Sequence, residues 1–432
     1  MESRRRSRTT SAPQPKCLGS GSRLNYVGIC LHSLAWIDWT SGLAHAPFLR
    51  GLRERSVYFP NALAQSTNVI NSFPVEYTGC CFHRCVTRLD VEDGPLPQHH
   101  IPDSGRFVHL PPTLFEQLEC SGYDWLTSME GYFAKLMPEV LDEGSAARFE
   151  RLMARNVSTD EAIRFIERQR VGGMPFAITF QLMNTHRPWA MRDHPYFRVR
   201  AMEEFGLDAP PADDVAGARW TAIHEPDNLA YIRRLGLAYA DRTVASIMAS
   251  IERAGLRDST IVLIYSNHGE VFDHFRHVHA LKMTCVSHGS IMAYDALEHT
   301  FQIWQVPGVP PAWHRNRVRV VDIVPTVCQL LGISPGSCDG RSIQPLFENP
   351  ATEGDDSRES LCLSPQAYSF RSGEFKLYHC CNSDSYHRNA IFDTSWDRAE
   401  RHDLLPSPSH RHIRDRLAHR LREILTGKAP LA

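Results

Sequence analysis

The stretch Ile261–Glu270, IVLIYSNHGE, decides the fold. Its first half, Ile261-Val262-Leu263-Ile264, is an uninterrupted apolar run rich in β-branched residues, and it ends in Ser266-Asn267-His268-Gly269-Glu270. A short run of this kind closed by glycine reads as a strand buried on both faces, as parallel sheets require. In open α/β sheets, ligands bind beyond the carboxyl ends of such strands. Asn267 and His268 therefore stand where chemistry is mounted.

Matching runs lie upstream. Leu24–Leu31 (LNYVGICL) reads as the first buried strand and carries His32-Ser33 at its carboxyl end. Pro175–Met183 (PFAITFQLM) reads as another, tipped by Asn184-Thr185-His186-Arg187-Pro188. Shorter strands are expected at Val57-Tyr58-Phe59 and after the turn at Gly122-Tyr123-Asp124-Trp125. Helices are expected between them. Ala46–Ser56 tolerates Pro47 in its first turn, and Pro111–Ser121 follows. Asp227–Ala254 has the clearest apolar periodicity, with Asp227 as a cap and Gly255 as a stop. Val321–Leu331 is a further strong helix.

Beyond Pro335 the character changes to short strand-like pieces over 366–393 and a helix at Arg411–Thr426. The expected architecture is a three-layer α/β sandwich with a central, mostly parallel sheet over 24–335. A small C-terminal α+β subdomain over 336–432 completes it. Residues 1–23, basic and rich in Ser and Pro, read as a disordered tail without an apolar segment suited to secretion.

Composition narrows the class. Of 432 residues, 42% are hydrophobic and 22% charged, with a net charge of −2, so no global field favours nucleic acid or an anionic membrane. No apolar run is long enough to span a membrane. The 12 cysteines include Cys80-Cys81 and Cys380-Cys381, and Cys81 with Cys85, but no repeated zinc-type pair. They read as reduced, mostly buried thiols in a cytoplasmic protein.

Several ordered signatures resemble the sulfatase and alkaline-phosphatase superfamily. Val57–Ala62, then a Ser/Thr-rich segment ending Thr78-Gly79, is similar to its nucleophile region, and Leu118–Tyr123 to its LxxxGY segment. Tyr239-Ala240-Asp241 and then Ser266–Glu270 resemble the run ending in "SDHGE". His288-Gly289, Tyr294-Asp295 and Val306-Pro307-Gly308 follow in family order, as do Val321–Thr326 with Asp339–Ser342. Phe375–Tyr378, Ile391-Phe392-Asp393 and Asp403-Leu404-Leu405 resemble the closing stretch.

The resemblance implies attack on a sulfate or phosphate ester by a metal-activated nucleophile. Its substrate would be a small-molecule or a glycan- or lipid-linked ester. The implied metal positions are His32, Asn267 and His268, two of them departures from the family's carboxylates. Such a donor set suits Zn²⁺ better than the hard ions Ca²⁺ or Mg²⁺. The nucleophile position falls on Val69, which has no heteroatom, while Phe73 and Asn71 replace the family's arginine and proline. A slip of two residues makes Thr67 the nucleophile, with Ser66 and Ser72 nearby, and assigns His186 or His288 to the ester oxygens or the leaving group. The alternative is a member of the fold that has lost its chemistry and binds a ligand or partner.

His274 and His277 read as loop residues, and His279 as a further imidazole near the site. Asp241 reads as a helix-face anchor, Asp322 as a helix N-cap, and Arg341 as a tie between the subdomains.

Overall fold

The computed structural model describes residues 23–92, 94–101, 106–129, 131–186, 226–270, 292–348, 358–380 and 388–431. Its central sheet begins with β1 (Asn25–Leu31) and β2 (Val57–Leu63). After a separate two-stranded ribbon of β3 (Asp90–Glu92) and β4 (Gln98–His100), the sheet continues with β5 (Asp124–Met129), β6 (Phe176–Leu182) and β7 (Thr260–Tyr265). It is completed by β8 (His299–Gln305), β9 (Ala312–Trp313) and β10 (Val318–Arg319). The order is β10-β2-β8-β7-β1-β6-β5, with β9 on β2.

The β5–β6, β6–β1 and β1–β7 pairs are parallel, and β8 runs antiparallel to both β7 and β2. β8 was not expected. Its sequence HTFQIWQ mixes polar residues into a buried strand, and tertiary partners satisfy them: Gln302 donates to the Arg319 carbonyl (3.0 Å) and accepts from Trp304 Nε1 (3.0 Å).

Both faces of β1 are covered, as its unbroken apolar character requires. Val27, Ile29 and Leu31 face a layer containing Val244, Ile247 and Ile251 of the long helix Pro226–Arg253. Tyr26 and Cys30 face the opposite layer, which contains Phe73, Leu114 and Val324. Asp241 anchors the first layer: its carboxylate accepts the amides of Leu49 (2.7 Å) and Phe48 (3.3 Å), capping the helix Pro47–Glu54 from outside.

The helix Val69–Thr78 was obscured in the sequence by Pro74 inside it. Asn68 caps it by accepting the Asn71 amide (2.9 Å), and Gly79 ends it at φ 68°. A side chain at Gly79 would also come within 2.9 Å of Val324 Cβ, so glycine is required there twice over.

A four-stranded antiparallel sheet forms the C-terminal part: β11 (Ser360–Leu363), β12 (Ala367–Ser372), β13 (Phe375–Cys380) and β14 (Asn389–Asp393), with the helix Arg411–Leu425 against it. Buried ions join it to the main sheet. Lys376 lies between Glu298 (3.2 Å) and Glu400 (2.6 Å), and Arg371 pairs with Asp295 and Glu298. Asp322 stands at the N-cap position of the helix Ile323–Leu331 but does not cap it with its side chain. Its carboxylate instead holds Arg319 (2.9 Å), Arg358 (3.1 Å) and the Arg341 amide (2.8 Å). Arg341 itself is exposed and contributes backbone groups, so the tie between the two parts runs through other cations. No helix among the described residues is long and apolar enough to cross a membrane.

Candidate active site

Three adjacent strands, β6, β1 and β7, bring their carboxyl ends level: Leu31 pairs with Leu182, and Cys30 with Tyr265. Four of the expected residues meet at these tips. His186 follows β6, His32 follows β1, and Asn267 and His268 follow β7. The His186 ring lies edge-on to both others, its centroid 6.2 Å from that of His32 and 6.5 Å from that of His268. All four side chains are buried.

Hydrogen bonding fixes the state of His32. Asn267 Oδ1 accepts the backbone amides of Ser33 (3.2 Å) and His268 (3.0 Å). Its amide nitrogen therefore faces His32 Nδ1, at 3.0 Å. An NH₂ group can only donate, so Nδ1 is the acceptor and Nε2 carries the proton. That proton goes to Gln181 Oε1. Gln181 in turn donates to Glu76 Oε2 (3.2 Å) and Tyr77 OH (2.9 Å), and Tyr265 OH donates to the same Glu76 oxygen (2.8 Å).

The result is one buried chain running Asn267–His32–Gln181–Glu76–Tyr265. Burial pushes the Glu76 carboxyl up to about 7 against the pull of the Tyr265 and Gln181 hydrogen bonds. Sequence reading missed Glu76, Tyr77, Gln181 and Tyr265. A clue was present in Gln181, a polar residue inside the buried run PFAITFQLM.

His268 is held differently. Its Nδ1 lies 2.8 Å from the Gly269 carbonyl, so Nδ1 carries the proton and Nε2 the lone pair. Gly269 is dictated by packing, because a Cβ there would lie 1.9 Å from the Ala296 carbonyl oxygen. Thr185 Oγ1 steadies the neighbouring tip by donating to the His32 carbonyl (2.6 Å). Thr67 is fully buried in the loop between β2 and the helix Val69–Thr78, one residue before the cap Asn68. Val69 opens that helix. His288, His274, His277 and His279 lie outside the described residues.

The sulfatase family model matches residues 25–333, the whole central sheet. The chain belongs to the sulfatase family. Arylsulfatase K of Danio rerio is 27% identical over 150 residues, a match spanning 34% of this chain and 24% of that protein's length. A 2-O GAG sulfatase shares the fold at a TM-score of 0.62 and 16% identity, covering 94% of this chain and 92% of its own. The phosphonate monoester hydrolase of Agrobacterium radiobacter does so at 0.60 and 16% identity, covering 94% and 96%. The anticipated α/β architecture is therefore that of the sulfatase family.

The family is divalent-metal-dependent, and the donors at the expected metal positions do not fit such an ion as they stand. His32 has both ring nitrogens engaged, one by an NH₂ group that claims its lone pair. Asn267 has its oxygen on two amides. No carboxylate replaces them: among the described residues no group of three or more His, Cys, Asp or Glu is placed to hold a metal ion. A hydrogen-bonded floor stands where the resemblance places a charged one. As hydrogen-bonded here, His32 and Asn267 have the atoms expected to face a metal engaged by neighbouring groups, and the described residues complete no donor set for Zn²⁺ over Ca²⁺ or Mg²⁺.

Proposed function

We propose that this sulfatase-family chain hydrolyses, or transfers from, a sulfate or phosphate ester, using imidazole and hydroxyl groups at the tips of β6, β1 and β7. The observation that carries the reading is the meeting of His32, His186, Asn267 and His268 in one buried cluster. The Nε2 lone pair of His268 takes the proton of the attacking hydroxyl, assigned to Thr67. The new bond runs from Thr67 Oγ1 to sulfur or phosphorus. The ester bond to the leaving oxygen breaks, and His186 supplies that oxygen's proton. Water then attacks the sulfur or phosphorus and the bond to Thr67 Oγ1 breaks; His268 returns its proton to Oγ1 and His186 takes the proton of the water, which restores all three groups. The 2-O GAG sulfatase among the structural neighbours supports a sulfated saccharide as substrate. The buried free thiols Cys30, Cys80, Cys81 and Cys85 support a reducing, cytoplasmic setting.

The test is turnover of 4-nitrophenyl sulfate and bis(4-nitrophenyl) phosphate by the full chain, with and without EDTA. Thr67→Ala and His268→Ala should each lower kcat by about a hundredfold or more. Unchanged turnover in Thr67→Ala removes that residue from the mechanism. A member that binds esters without turnover is favoured by one observation, the apolar Val69 at the opening of the helix. Absence of turnover on both esters would select it.

A further inference from the structure

Trp313, at the end of β9, keeps 58% of its surface exposed although its backbone pairs with β2 on the edge of the central sheet. A lone exposed ring needs no explanation, but this one is held in place. The Arg53 guanidinium lies 4.9 Å from its centroid, and Tyr58 meets it edge-on at 5.2 Å. Tyr58 is itself fixed: its hydroxyl accepts from Trp39 Nε1 (3.1 Å) and its carbonyl from the His314 amide (2.9 Å). The ring is presented to solvent in a set orientation.

The charges around it are unmatched. Arg53 Nε has no hydrogen-bond partner. Arg50, three residues earlier on the helix Pro47–Glu54, is exposed, as is Arg315, two residues after Trp313. Among the described residues none of the three arginines is paired with a carboxylate. Arg317 and Arg319, further along the same segment, behave otherwise: both are buried, the first on backbone carbonyls and the second on Asp322. Glu54 is the single acidic residue of the helix, and neither β2 nor the stretch from Val306 to Val321 contains another. In a chain of net charge −2 this is a local excess of positive charge.

The surface lies away from the crevice. β8 is antiparallel to both β7 and β2, so β2 points the same way as β7, and Trp313 is level with Tyr58, its second residue. Leu63 ends β2 five residues further on, which puts the ring about 17 Å short of the level of the strand tips. It also stands three strands away from β1. A monosaccharide in the crevice cannot touch it, whereas a polymer several sugars long spans the gap.

The chemistry selects the polymer. A pyranose has an apolar C–H face that packs flat on an aromatic ring, and its sulfates accept paired N–H donors from guanidinium groups. A nucleic acid also stacks, but it draws its affinity from many phosphate contacts, which three arginines do not supply.

We infer that Trp313, with Arg50, Arg53 and Arg315, forms an accessory binding surface for a sulfated polysaccharide. The inference rests on the proposed function for the saccharide class and adds a second contact through which a polymeric substrate is held.

The experiment is calorimetric titration of the full chain with dextran sulfate, and separately with unsulfated dextran and a single-stranded oligothymidylate, at physiological ionic strength. Dextran sulfate should bind and dextran should not. Trp313→Ala should weaken binding about tenfold and Arg315→Ala about threefold, while Trp313→Phe, which keeps an aromatic face, should retain most of it. Thermal melts establish that each variant is folded; if Trp313→Ala is not, the double variant Arg50→Ala with Arg315→Ala decides, with an expected loss of about tenfold. No binding of dextran sulfate, equal binding of dextran, tighter binding of the oligonucleotide, or binding untouched by Trp313→Ala overturns the inference. Polymer binding without turnover of the aryl esters leaves it standing and defeats the hydrolytic reading. Aryl ester turnover without polymer binding does the reverse.

Discussion

Two buried polar networks divide this molecule. At the strand tips, Asn267, His32, Gln181, Glu76 and Tyr265 are joined by amides, an imidazole, a phenol and one carboxyl. At the junction with the C-terminal sheet, Lys376 and Arg371 are packed among Asp295, Glu298 and Glu400. The first handles burial by avoiding formal charge, the second by matching it.

Their carboxyls respond accordingly. Burial alone would raise Asp295, yet Arg371 beside it, with His299, holds the carboxyl far below the usual range. Glu76 has no cation among the groups that stabilise it, and burial carries it up to about 7. The difference lies in how burial is compensated: the crevice floor carries a single carboxyl held by neutral donors, whereas the scaffold behind it pairs its carboxylates with cations.

The sharpest way to break this comparison is Lys376→Met. It leaves Glu298 and Glu400 without their shared cation and should cost about 3–5 kcal/mol, read by urea denaturation. A loss below about 1 kcal/mol would mean the junction is not the charge-matched element described. The next largest effect is on pH dependence. Glu76 has a folded value above its unfolded one, so the stability it contributes is full below about pH 4.5 and declines as pH rises toward 7, by about 3 kcal/mol. Glu76→Gln should flatten that slope. Asp295, depressed in the fold, acts in the opposite sense and loses its contribution as pH falls below its unfolded value near 4.

The comparison is sharpened by putting charge back. The double variant His32→Asp with Asn267→Asp should acquire stabilisation by divalent ions of about 2–3 kcal/mol at saturating concentration, seen as a raised Tm. The natural chain should show no such rise that depends on His32, and one abolished by His32→Ala would restore the metal floor. The smallest effect is that of Tyr265→Phe, which removes one donor from Glu76 and should cost about 1 kcal/mol in equilibrium unfolding.

Much of the scaffold was legible because buried parallel strands advertise themselves. β1, β6 and β7 were marked by unbroken apolar runs, and their tips placed His32, His186, Asn267 and His268 in one region. β8 and the helix Val69–Thr78 escaped for local reasons: polar residues in a buried strand, and a proline within a helix. Asp322 was placed correctly at a helix start and misread in role, because its partners Arg319 and Arg358 come from before the helix and from far beyond it.

The buried strands β1, β6 and β7, and the residues His32, His186, Asn267 and His268 at their tips, followed from the chain's own periodicity and punctuation. The protonation pattern of those groups did not. Whether His32 offers a lone pair or surrenders it depends on an amide from β7, another from β6 and a carboxyl from a helix. Hydrogen-bond direction is a property of neighbours in space, and only folding made those residues neighbours.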